Sequence, residues 1–369
     1  MPDSTVTPAD SVQPVLLGVS DAINRAAREI VRTKFILDKA VGSQGAAMLC
    51  GDLHDGAQGP AEPIPFLQRI LPFGYLMEEV APYRPALVPT ANTLGCSWKW
   101  CRKDLDDQKA QEQLERLDNR QALLEGTLDP ATYHWIKPLG IFTPGEGKNR
   151  VDFFREEGIK SIPAQVSEWT YVEPHRIVIY SITSSAFTAT WAVLDERWVE
   201  NVTNPDWTLP LMTAYGVKTT ERWPASFPAP QAILLALFER DGFNSPLGNP
   251  EFGCKPVVDI ETIRAIRDFQ DELVAAKVCD LKHVDVEARI WKFGLLGVLI
   301  SCLLMLFMPA DWLYGFVSAG VVLGASACAA LLPSELPVIT RRRRLKKEQY
   351  LPHEKSPKWA GRTTRRYLG

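Results

Sequence analysis

Two apolar runs near the C-terminus, 293–308 and 312–332, dominate the pattern of hydrophobic and polar positions. Neither contains an Asp, Glu, Lys, Arg or His, and only Pro309, Ala310 and Asp311 separate them. A bilayer core of about 30 Å takes roughly 20 helical residues, so the pattern predicts a C-terminal two-helix transmembrane hairpin over 293–332, its first span near the lower limit of length. Trp291, Trp312 and Tyr314 fall where amphipathic rings sit at an interface. Lys282, Arg289 and Lys292 precede the hairpin, six basic residues (Arg341, Arg342, Arg343, Arg344, Lys346 and Lys347) follow it, and the turn has none. That asymmetry places a multi-pass protein in a bacterial-type inner membrane with both termini cytoplasmic. In the second span Gly320 and Gly324 form a GxxxG pair that admits a close backbone, most simply that of the first span and alternatively that of a second protomer.

Upstream, the pattern predicts an α+β domain with a small antiparallel β-meander. Residues 1–19 are polar and read as disordered. Residues 20–140 read as a mainly helical and irregular region. Ser20 caps a helix running to about Val41, with Ile23, Ala27, Ile30 and Leu37 on one stripe. A Gly/Ala/Pro-rich stretch over 42–92 leaves room for one short helix, and 103–124 is a polar helix with a narrow apolar stripe. Residues 141–290 form the α+β region. β-branched and aromatic residues crowd 151–202 into three or four strands, and Ile177, Val178, Ile179, Tyr180 and Ile182 are apolar on both faces, which marks a central strand. A helix starts among the prolines at 224–230, and another begins near Asp259 and runs almost unbroken into the first span. Residues 333–369 form a basic cytoplasmic tail.

Charge sharpens this division. The chain of 369 residues has a net charge of −3, but the residues from Arg341 onward carry +9, leaving −12 for residues 1–340. The tail is therefore expected to contact anionic lipid through Arg341, Arg342, Arg343, Arg344, Lys346 and Lys347, rather than nucleic acid. No presequence is visible, and the seven cysteines lack a secreted disulfide spacing, which fits a reducing compartment.

Candidate chemistry is sparse. Cys50-x3-His54 with Cys96-x4-Cys101 supplies four ligands of the kind tetrahedral Zn²⁺ takes, at an unusual spacing; the alternative is plain thiols and a surface histidine. Asp52, His54 and Asp55, or Glu173 with His175, are acid/base candidates without a nucleophile. The motifs GxSxG, GxxxxGK[ST], HExxH and GxGxxG are absent. Trp169, Trp191, Trp198, Trp207 and Trp223 read either as sheet core or as a partner surface.

The charge-free hairpin resembles that of the pore-forming domains of colicin-like toxins, over 293–332 only. The resemblance implies a membrane-inserting toxin, although those domains wrap the hairpin in amphipathic helices where this chain has strands. The leading expectation is a membrane-anchored interaction or scaffold protein, an accessory of a membrane or secretion assembly with a protein partner. The pore-forming toxin and a metal-dependent enzyme using Cys50, His54, Cys96 and Cys101 are the alternatives.

Overall fold

A hydroxyl starts the first helix. The Ile23 N–H donates to Ser20 Oγ at 3.3 Å, and α1 (Asp21–Val41) follows from that cap as the sequence predicts. The structure, a computed structural model, describes residues 12–41, 52–53, 60–96, 102, 105–184, 186–238, 257–282, 288–307, 309, 312–335 and 337–346. It divides into two units, Met1–Ile260 and Glu261–Gly369.

In the first unit, α2 (Pro63–Ile70) begins on a proline, whose missing N–H is no loss in a first turn. Strand β1 (Glu79–Pro89) follows where the prolines predict irregular chain. The register against its partner shifts between Glu79 and Ala81 and again between Ala81 and Arg84, so Pro82 falls in bulged, unladdered backbone. The polar helix splits into α3 (Asp107–Leu117) and α4 (Arg120–Leu124), each with its own cap: Asp106 accepts from the Lys109 N–H and Asn119 from the Ala122 N–H. Then come β2 (Thr132–Ile136), β3 (Ile141–Glu146), α5 (Lys148–Glu156) and β4 (Ser161–Trp169).

These strands form a mixed sheet in the order β1-β4-β2-β3, parallel only between β4 and β2. Residues 13–15, expected to be disordered, dock on its edge, where the Val15 N–H donates to the Leu87 carbonyl at 3.0 Å and Val15 is buried. One face of the sheet buries Tyr133, Trp135, Ile162, Ala164 and Val166 against Val151 and Phe154 of α5 and Leu117 of α3. Each such aliphatic or aromatic side chain contributes about 1.5–3 kcal/mol by leaving water.

The second sheet has an antiparallel run of β5 (Ile177–Thr183), β6 (Thr188–Leu194) and β7 (Trp198–Asn201), whereas the strand expected beside them around Trp169 is β4 of the first sheet. After α6 (Pro205–Tyr215), β8 (Lys218–Thr220) joins parallel to β5; after α7 (Pro230–Phe238), β9 (Val257–Asp259) pairs with β7. The order is β8-β5-β6-β7-β9, so this sheet too is mixed and β5 is internal, as its two apolar faces require. Ile177, Ile179, Ala192 and Leu194 face a core shared with α1, α2 and α6. Tyr180 and Trp191 face the other way, under Trp223 and Phe227.

The second unit contains α8 (Ile260–Asp271), β10 (Leu273–Lys277), α9 (Ala288–Phe307), α10 (Leu313–Glu335) and β11 (Pro337–Arg341). The helix from Asp259 does not run on toward 293; it stops at Asp271, and β10 pairs antiparallel with β11. The apolar runs do form two helices packed on each other, but the transmembrane expectation fails. Among the described residues no helix is long and apolar enough to cross a membrane. Helix α9 takes Arg289 and Lys292 into its first turns, so its charge-free part, Phe293 to Phe307, spans about 22 Å against the roughly 30 Å required. The membrane hairpin, the multi-pass inner-membrane placement and the membrane-protein class are therefore corrected to an α+β chain with mixed sheets and a helical hairpin.

Of the glycine pair, Gly324 does not lie against the first helix of the hairpin. The helices come close at Gly297, where a Cβ would lie 2.6 Å from Ser326 Oγ, while Gly324 has nothing within 4 Å. The basic run is also engaged. Arg341 and Arg343 reach Asp271 at 3.6 and 3.3 Å, and Arg342 pairs with Glu272 at 2.6 Å and lies over the Phe269 ring. Arg344 and Lys346 follow on the turn after β11, and Lys347 lies outside the described residues.

Candidate functional site

Alternation along β2 sends Tyr133 and Trp135 into the core and His134 to the opposite face of the first sheet. The register sets Ser167 of β4 beside His134 on one side and Thr143 of β3 on the other. Tyr83 of β1 and Trp169 of β4 complete the group. The His134 ring lies 4.4 Å from that of Trp169 and 6.0 Å from that of Tyr83, centroid to centroid. Three strands thus present three rings on one side of the sheet.

The polar atoms among these rings form an ordered relay. The Trp169 Nε1–H donates to Ser167 Oγ at 3.0 Å, and the serine in turn directs its proton to His134 Nδ1 at 3.2 Å. The Tyr83 hydroxyl stands 3.3 Å from the same nitrogen. With Nδ1 accepting, the imidazole carries its proton on Nε2, an assignment made from the hydrogen-bond network. Partial burial, opposed by the charge of Glu79, holds the His134 pKa below the usual imidazole value, which favours the neutral ring. Nε2 points over Gly145, where a Cβ would come within 3.1 Å of it and 3.2 Å of Thr132 Oγ1. A glycine here leaves the donor uncovered. Ser167 itself is fully buried, so its hydroxyl orients the ring and is not placed to attack a substrate. Tyr83 remains 42% exposed.

The residues singled out in the sequence are distributed otherwise. Cys50, His54 and Cys101 lie outside the described residues, as does Asp55. Cys96 is buried with Sγ 3.9 Å from the Pro60 carbonyl, and burial pushes its thiol up to about 12. Among the described residues there is no group of three or more His, Cys, Asp or Glu that could hold a metal ion. Asp52 accepts from Asn204 Nδ2 and Thr203 Oγ1, tying down the loop before α6. Glu173 pairs with Arg176 rather than with His175, and Arg176 makes a two-pronged contact with Asp195 at 2.6 and 2.9 Å. His175, Arg176, Val178, Tyr180, Val193, Asp195 and Glu196 line an open cleft of about 350 Å³.

Of the tryptophans, Trp191 is core, Trp207 packs edge-on against Phe66, Trp198 lies under the Arg197 guanidinium, and Trp223 covers Tyr180 and Trp191. Trp169 alone among these five joins the relay. Tyr83, His134 and Ser167 went unmarked in the sequence. The apolar, polar, apolar order at Tyr133, His134 and Trp135 is the signal that could have found the histidine, whereas its pairing with Ser167 depends on strands far apart in the chain. The chain matches no protein-family model, no curated protein sequence and no solved structure.

Proposed function

We propose that this chain is a protein-interaction module, an accessory that captures an extended segment of a partner protein on the Tyr83–His134–Trp169 face. The observation that carries the reading is the relay from Trp169 through Ser167 to His134, which presents a neutral Nε2–H outward between aromatic rings. Such a surface suits a segment that lays a prolyl or aromatic ring on the platform and offers a backbone carbonyl to the imidazole. A fully buried serine hydroxyl, out of reach of a substrate, favours recognition over nucleophilic catalysis.

Selection of a displayed random-peptide library on the full chain tests this. Enriched peptides are expected to lose at least about tenfold in affinity for a His134→Ala, Trp169→Ala double variant whose melting temperature is held near that of the parent. Peptides that bind parent and variant equally, or a library that enriches nothing, would overturn it.

The same site has a predictable pH response. Protonation of His134 gives Nδ1 a hydrogen and removes the acceptor for Ser167, and the lowered pKa delays this to below the ordinary imidazole range. Affinity for an enriched peptide is expected to stay level from pH 8 through about 6.5 and to fall only below that. A fall already complete at neutral pH would show that His134 is not the titrating group.

A further inference from the structure

The open cleft on the second sheet is built from groups that the His134 face does not use. Its floor is Val178 of β5 and Val193 of β6, opposite each other in the ladder, and Tyr180 stands one step along on the same side. A volume of about 350 Å³ falls at the small end of the range for small-molecule sites. Tyr180 is only 7% exposed, its ring held edge-on by Trp223 and Phe227, yet its hydroxyl makes no hydrogen bond among the described residues. A phenol packed this deeply ordinarily finds a partner. Burial, and then the charge of Glu196, holds it above the usual phenol value, so the hydroxyl lies within the field of a carboxylate that lines the same cleft.

Charge at the rim is unbalanced. Asp195 engages Arg176 at 2.6 and 2.9 Å, and Glu173 engages it at 3.3 Å. Glu196 makes no ion pair or hydrogen bond among the described residues, because the neighbouring Arg197 is turned to Asp259. With His175 neutral, one guanidinium against three carboxylates leaves −2, and still −1 when Lys218, beside Val178 on β8, is included. The backbone gives a separate sign. Asp195 and Glu196 form the two-residue turn from β6 to β7, closed by the Arg197 N–H donating to the Leu194 carbonyl at 3.0 Å, and both have positive φ, 52° and 55°. Asn-Gly is the favoured pair in such a turn. Arg176 holds Asp195 there, whereas nothing within the chain pairs with a glutamate placed where glycine is easier.

We infer that this cleft binds a small primary amine with an apolar stem, its ammonium at Glu196 and the Tyr180 hydroxyl and its stem on Val178 and Val193. The ammonium brings the positive charge that the rim lacks and donates to both oxygens, while the valines take the methylenes out of water. This site shares no residue with the His134 face, so neither reading depends on the other.

Titration of the full chain, its valine methyls labelled, with n-butylammonium chloride at fixed ionic strength provides the test by nuclear magnetic resonance. Saturable shifts of the Val178 and Val193 methyl signals are expected, with a Kd of about 1 mM or below. Butanol and butyrate, matched in length but neutral and anionic, are expected to bind at least about tenfold more weakly. Glu196→Gln should weaken the amine at least about tenfold, and Tyr180→Phe, which keeps the ring under Trp223, about fivefold. Glu196→Gly should lose the amine as well while melting no lower than the parent, a combination that a purely structural glutamate does not give. Shifts that fail to saturate by about 20 mM, butanol or butyrate binding as well as the amine, or unchanged affinity in Glu196→Gln would each overturn the proposal.

Discussion

Gly95→Ala is expected to lower the unfolding free energy of the first unit by more than about 3 kcal/mol, as read from chemical denaturation. A Cβ at this position would lie 2.6 Å from Asp152 Cγ and 2.8 Å from its Oδ2. A short carboxylate could normally swing aside, but this one is 2% exposed and held by Arg155, whose Nη1 donates to Asp152 Oδ1 at 2.5 Å. The same guanidinium donates to the Thr93 carbonyl at 2.7 Å and lies 4.9 Å from the Phe35 ring centroid, so it cannot follow an outward movement of the carboxylate. The alanine must therefore displace the end of the turn, the base of α5 and the inner side of α1 together. Asp152→Ser in the same protein should recover part of the loss, and a double-mutant cycle would show coupling of at least about 1 kcal/mol. Additive effects would mean that the close approach at Gly95 is not what makes the position sensitive.

The second large effect concerns Lys34 and Asp38, which lie one turn apart on the buried side of α1. Both Asp38 oxygens accept from Lys34 Nζ, at 2.5 and 2.6 Å, and each residue is at most 1% exposed. Burial pushes the Asp38 carboxyl up to about 7; Lys34 opposes this, nearby Asp152 adds to it, and Arg155 again opposes it. Because the folded value lies above the unfolded carboxylate value near 4, the native state binds the extra proton between those limits. Its stability should fall as pH rises from about 4 to about 7 and level off above that. Lys34→Met removes the compensating ammonium, so it is expected to cost about 3–5 kcal/mol at pH 8 and progressively less toward pH 5, where Asp38 is protonated. The joint replacement Lys34→Met, Asp38→Leu should be close to neutral, since an apolar pair of similar volume avoids the desolvation of two charges. Thermal unfolding of the three proteins at pH 5 and pH 8 checks this. A single variant with the same loss at both values would show that Asp38 does not titrate in this range.

How far the sequence could be read depends on whether the decisive interactions are local. Ser20 was legible as a cap because capping involves neighbours three residues apart, and β5 was legible as internal because two apolar faces leave a strand no solvent side. Strand β1 was not, since Pro82, Pro85 and Pro89 argue against a ladder that the register accommodates by bulges and at the sheet margin. The apolar runs at 293–332 were rightly read as paired helices, but their pairing and membrane crossing are separate matters. Arg289 and Lys292 belong to the same helix as the first run, which hydropathy of the run alone does not reveal. The relay at His134 lay beyond the reach of spacing arguments because its serine and tryptophan arrive from a strand some thirty residues downstream. Lys34 and Asp38 illustrate the same point: their charges suggest the wet side of α1, whereas packing places both inside.

The short ladder between β10 and β11 gives the second unit a mechanical character. Lys277 is opposite Pro337 at the end from which the helices depart, and Leu273 is opposite Arg341 at the other. The chain between β10 and α9 is itself tied to the segment after β11, where the Lys282 N–H donates to the Arg344 carbonyl at 2.7 Å and the Lys346 N–H to the Asp280 carbonyl at 2.6 Å. With the contacts of Arg341, Arg342 and Arg343 to Asp271 and Glu272 at the other end, the ladder is braced on both sides, so the base of the hairpin is a clasp and not a hinge.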